Sequence, residues 1–78
     1  MINEPKIDEE KIALNVTKAK IFLKKKIPVH ILKIDREWWN GELQEVRDDF
    51  LTINERKKGV HVLFFQEIYS IEQLEERE

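Results

Sequence analysis

The alternation of apolar and polar residues changes rhythm once along this chain. Up to residue 26, Ile12, Val16, Ala19 and Leu23 recur at i, i+4, i+7 and i+11, with Ala13 and Phe22 flanking them. That spacing lines one stripe of an amphipathic helix. From residue 27 the repeat shortens to two and breaks into short runs at 27–34, 38–46, 50–54, 60–65 and 68–72. Each run has the length of a strand and is rich in the β-branched and aromatic side chains that suit a pleated surface. No gap between them holds a crossover helix, so neighbouring strands are predicted to be antiparallel.

The punctuation between the runs agrees with this division. Asp8 suits a helix N-cap, Glu9 and Glu10 put negative charge in the first turn, Lys24, Lys25 and Lys26 put positive charge in the last, and Pro28 ends the helix. Asp35-Arg36, Arg47-Asp48-Asp49 and Arg56-Lys57-Lys58-Gly59 read as turns, and Gln66-Glu67 as a short break before the last strand. Gly41 interrupts the second strand, where it marks a bend or a close backbone approach and is expected to be a corner. The predicted fold is mainly β with one N-terminal α-helix, a small, strongly bent five-stranded antiparallel barrel. One domain is expected, with a flexible N-terminus at 1–7, the helix at 8–26, the barrel at 27–72 and an acidic tail at 73–78.

Size and charge narrow the picture. A chain of 78 residues holds one modest core, so surface shared between copies is a natural source of further stability. There is no cysteine, which removes disulfides and thiolate chemistry. No apolar run approaches the ~20 residues that span a bilayer, and a cytoplasmic location without membrane contact is expected. The net charge of −2 is unevenly spread. Residues 1–26 carry seven Lys against four acids, residues 27–65 six bases against seven acids, and residues 66–78 one base against five. Nucleic-acid binding would therefore need a local patch, and the first third of the chain is the place to look.

Few residues carry chemistry. The lysines at 24, 25 and 26 could meet phosphate, although a basic helix end is also what the helix dipole favours. Lys57 and Lys58 could do the same or only solubilise a turn. Trp38 and Trp39 point to opposite faces of a strand, so at most one is core, and an exposed one could stack on a base or anchor a protein contact. His30 and His61 stand alone, with no second ligand at metal-site spacing. Ser70 is the only serine and lies outside any nucleophile-elbow pattern, and there is no glycine-rich phosphate loop. Neither an enzyme nor a bound cofactor is expected.

The order helix, five strands, glycine in the second strand and break before the fifth resembles the Sm-like family, and within it the Hfq-like RNA chaperones. The likeness rests on Lys24-Lys25-Lys26-Ile27-Pro28-Val29-His30-Ile31 and on the ungapped spacing from Pro28 to Gly41, and it covers residues 18–72. It implies a homo-oligomeric ring, hexamer or heptamer, in which the fourth strand of one copy pairs with the fifth of the next. Val60, Val62, Leu63, Phe64 and Phe65 would meet Ile68, Tyr69 and Ile71 there. It also implies single-stranded RNA as a ligand. Two departures stand out: Asp48 and Asp49 are followed four residues later by Thr52 and Ile53 where the family has Asn, and Phe64-Phe65-Gln66 replaces its Arg-Gly or Tyr-Lys-His. Those motifs build the family's pore-side uridine pocket, so RNA contact is expected instead at a basic rim, through Lys24, Lys25, Lys26, Trp38, Lys57 and Lys58. The alternative expectation is a barrel that joins proteins and binds no RNA.

Overall fold

The computed structural model describes residues 8–75. Helix α1 covers Glu9–Lys25, and Asp8 caps it by accepting the Lys11 N–H at 2.8 Å. Lys26 closes it in the left-handed conformation, with its N–H turned back to Leu23 O. The helical side chains that are fully buried are Ala19 and, unforeseen in the sequence, Asn15. Asn15 Nδ2 donates to the carbonyls of Ile68 and Tyr69, both at 3.3 Å, and so pins the helix to the last strand. Ala13, expected beside the apolar stripe, is exposed.

Five strands follow: β1 Val29–Lys33, β2 Trp38–Val46, β3 Phe50–Glu55, β4 Gly59–Phe64 and β5 Ile68–Gln73. They form one antiparallel sheet in the order β4-β3-β2-β1-β5. The sheet is open: β4 and β5 are its two edges and do not pair, so the expected closed barrel is not formed within one chain. Strong bending is nevertheless required by chain length. Laid flat, the two edges would be four strand spacings apart, about 19 Å. Only the 3-10 turn Phe65–Glu67 joins them, and the four residue steps from Phe64 to Ile68 reach at most ~14 Å. The sheet therefore curls toward itself. Phe65 N–H donates to Asp49 O at 2.9 Å and Ile34 N–H to Glu67 O at 2.8 Å, so the connector is tied to both sides of the curl.

The curl is shared between two features of β2. A bulge lies between Leu43 and Glu45, where the pairing with β3 shifts. Gly41 is the second feature, and it is a close backbone approach: it pairs with Val29 on one side and Glu55 on the other, and a Cβ there would lie 2.1 Å from Asn54 O. Between β1 and β2 the chain turns through 34–36, with Arg36 left-handed (φ 72°) and its N–H bonded to Lys33 O. That is the three-residue hairpin loop with a final left-handed residue, one residue longer than the Asp35-Arg36 turn foreseen.

The core lies on the concave side of the sheet. Val29, Ile31, Leu51, Ile53, Phe65, Ile68 and Ile71 are buried, with Trp39, Leu43, Leu63 and Ala19 around them. The outer side carries the alternate residues, among them Trp38, Asn40 and His30, and at the β4 edge Val60, Val62 and Phe64. No helix among the described residues is long and apolar enough to cross a membrane.

Candidate functional site

Strand register brings distant residues to one end of the sheet. Trp38 and Asn40, two apart on β2, share the outer face with His30, which lies opposite Asn40 on β1. The next hairpin delivers the loop after β3 to the same end, because Glu55 pairs with Gly41. Between them is a groove of ≈ 580 Å³ lined by Trp38, Asn40, Glu55, the 56–58 turn, Leu74 and Glu75.

Its aromatic wall is held in place. Trp38 is 48% exposed, whereas Trp39 is 6% exposed and belongs to the core. The His30 ring stacks on Trp38 at 3.9 Å between centroids and 15° between planes. His30 also hydrogen-bonds Asn40 Oδ1 through Nδ1. These three side chains brace one another on the outer face of β1 and β2.

The basic wall is organised by Glu55. Its Oε1 accepts the N–H groups of Lys57 (2.7 Å) and Lys58 (3.0 Å), and Oε2 accepts that of Asn40 (3.2 Å). Those bonds, that from Lys57 first and that from Asn40 next, hold its carboxyl below the ordinary carboxylate range against a burial that pushes it up, and the N–H and charge of Lys58 lower it further. The amides that could have cradled a phosphate are thus already occupied. Phosphate contact there falls to the side chains of the 56–58 turn.

Of these, Lys58 is engaged. Its ammonium lies 4.0 Å from the Trp39 ring centroid and 3.8 Å from Glu37, whose other carboxylate oxygen accepts the Trp39 indole N–H at 2.7 Å. His61 meets Trp39 edge-on at 5.1 Å. Lys58 therefore packs its ammonium over the end of the core while its side chain stays 40% exposed at the groove. Lys57 has an exposed side chain at the groove.

The lysines at 24, 25 and 26 are exposed at the helix end but do not line this groove. Lys26 borders a separate hollow of ≈ 220 Å³ with Phe22, Leu23, Ile27, Glu42 and Leu43. Val29, which follows the helix exit, is two strand spacings from Glu55, about 10 Å. The two basic clusters share one end of the sheet without forming one site.

The residues expected at a contact between copies divide in two. Val60, Val62, Phe64 and Tyr69 are exposed, and Phe64 packs edge-on against Phe50 at 6.1 Å. Leu63, Phe65, Ile68 and Ile71 bury their side chains in the chain's own core. Asn40 and Glu55 escaped the sequence reading, in which His30 stood alone. The i, i+2 spacing of Trp38 and Asn40 was the available signal for Asn40. Nothing local marked His30 or Glu55, whose roles come from cross-strand register. Among the described residues no three metal-binding side chains converge. No family model, curated protein or solved structure matches this chain.

Proposed function

We propose that this chain is an Sm-like module that binds single-stranded RNA and assembles with copies of itself through its sheet edges into a ring. The observation that carries the RNA reading is the groove that the braced, half-exposed Trp38 ring lines together with Lys57. An aromatic platform beside a cation is the combination that holds an unpaired base and its phosphate. The lysines at the helix end extend positive charge along the same end of the sheet. Assembly is supported by the open sheet order, with β4 and β5 both unpaired and Val60, Val62 and Phe64 exposed along β4. An apolar edge of that kind is an aggregation hazard unless something pairs with it. Closure of a ring of copies, β4 on β5, removes every edge at once.

The same apolar edge favours a second reading, a protein-joining module without RNA. Titration with single-stranded RNA, read by fluorescence anisotropy across a salt series, separates the two. The RNA reading expects binding that weakens with salt, falls in Trp38→Ala and Lys57→Glu, and falls less in the Lys24→Glu, Lys26→Glu pair. Binding untouched by Trp38→Ala and Lys57→Glu refutes the groove. No binding at low salt, with a protein partner recovered, selects the second reading.

A further inference from the structure

We infer that the outward face of α1 pairs with the same face of a second copy of this chain, the two helices running antiparallel about a two-fold axis near Thr17. The inference goes beyond the RNA and ring readings and needs neither. Opposite its core-facing stripe, α1 carries a second row at the same spacing: Glu10, Leu14, Thr17, Ile21 and Lys24 fall at i, i+4, i+7, i+11 and i+14, and all five are exposed. Leu14 and Ile21 are 48% and 46% exposed. Between them Thr17 turns its hydroxyl back to Ala13 O at 3.0 Å, so it can be covered without stranding a polar group. Single apolar residues on a surface are ordinary, and what marks this pair is the order of charges around it.

The row runs acid, apolar, small, apolar, base, and it is complementary to its own reverse. In the antiparallel pair Leu14 lies beside Ile21 of the second copy, and Glu10 lies beside its Lys24 and Lys25, each contact made twice by symmetry. A parallel pair would set Glu10 against Glu10 and Lys24 against Lys24. The charges at the ends of the row are available: among the described residues Glu10, Lys24 and Lys25 form no ion pair. Those on the flanks are already used within the chain, where Lys18 meets Glu72 at 3.1 Å, Lys20 meets Asp48 at 3.3 Å and Lys11 lies 5.1 Å from the Tyr69 ring centroid. Glu72 thus offsets the repulsion where Lys18 of one copy approaches Lys18 of the other. An anionic membrane, the other occupant that suits an apolar helix face edged with lysine, would be repelled by Glu9 and Glu10 at the start of the helix. A contact one helix wide is small, so the pair is expected to be weak and concentration-dependent.

Because the chain has no cysteine, single cysteines report this geometry. Helix axes about 8–10 Å apart bring Cα atoms at the two-fold axis within disulfide reach, so Thr17→Cys is expected to give a covalent dimer on a non-reducing gel after air oxidation. Glu10→Cys, about 21 Å from its counterpart in the antiparallel pair, is expected to stay single. In sedimentation of the cysteine-free protein, Leu14→Lys with Ile21→Lys should weaken association at least about tenfold. Glu10→Lys should weaken it about threefold, and adding Lys24→Glu and Lys25→Glu should restore it. Val62→Lys acts on the β4 edge and should leave the Thr17→Cys cross-link in place, so loss of the ring reading does not carry this one with it. Equal cross-linking at positions 10 and 17 overturns the antiparallel pair. Absence of the Thr17→Cys cross-link at every concentration overturns it too, and co-sedimentation of that protein with anionic vesicles would then assign the face to a membrane.

Discussion

Gly41→Ala tests whether the curl of the sheet depends on contact between two backbones. The added Cβ would lie 2.1 Å from Asn54 O, 2.8 Å from Asn54 C and 3.0 Å from Glu55 Cα. A carbon and a carbonyl oxygen are in contact at about 3.3 Å, so β2 and β3 must part by roughly 1 Å. No flexible side chain can give way, because all three obstacles are backbone. Overpacking of this kind costs ~1–3 kcal/mol. Parting the strands also strains the Arg56 N–H bond to Asn40 O (3.1 Å) and the Asn40 N–H bond to Glu55, each about 1 kcal/mol. Alanine's stiffer unfolded chain returns ~0.4–1 kcal/mol. The net loss is about 3 kcal/mol, a fall in Tm of roughly 12–24 °C for a domain of this size, read by circular dichroism on heating. Gly59→Ala is the control: its φ of +82° strains alanine, but no atom lies within 4 Å, so it should lose only about 1 kcal/mol. A Gly41→Ala protein as stable as Gly59→Ala would refute the backbone-contact account.

The two tryptophans should separate stability from binding: Trp39→Ala is expected to lose ~3–5 kcal/mol in denaturant unfolding, and Trp38→Ala to leave Tm nearly unchanged while weakening RNA binding by ~1–3 kcal/mol. Because the folded-state pKa of Glu55 is lowered, the stability it adds is present above the unfolded-state value, about 4.3, and is lost as pH falls through the folded-state value. Glu55→Gln should therefore be less stable than wild type at neutral pH, with the gap in Tm closing on acidification below about pH 4.3, and a gap independent of pH would refute the role given to the ionised carboxylate. Arg36→Gly relieves a left-handed residue at φ 72° and should raise stability by up to ~1 kcal/mol in the same melts. Val62→Lys places a charge on the β4 edge and should lower the mass measured by light scattering if copies join there, and an unchanged oligomer would exclude that edge.

The mainly β fold with its N-terminal helix was legible because two hydrophobic periods are cleanly separated at Pro28, and because every gap after it is too short for anything but an antiparallel neighbour. What the pattern could not supply was closure. Whether β4 and β5 pair depends on the path of the Phe65–Glu67 turn, and periodicity along a strand is silent on that. Asn15 was invisible for a related reason, since a polar residue on a buried helix face makes sense only once the Ile68 and Tyr69 carbonyls stand opposite it. The groove was half legible. Trp38, Lys57 and Lys58 were singled out by residue type, but their division of labour was set by register: Glu37 claims Lys58 for the core end, and Glu55 fills the turn amides. The β-bulge in β2 had no sequence mark, whereas Gly41 was marked as a bend or a close backbone approach, and it meets the Asn54 backbone.

The strand order has a consequence for how the chain assembles in time. From β1 to β4 every neighbour is a hairpin, so those contacts close short loops and can form early. β5 is the exception, pairing Gln73 with Val29 across nearly the whole sheet sequence, and the Asn15 bonds to Ile68 and Tyr69 span a comparable distance. Loop-closure entropy delays both until the meander exists. The last strand and the helix should therefore dock together as one late cooperative unit, and in native-state hydrogen exchange their amides should open together at lower free energy than those of β2 and β3.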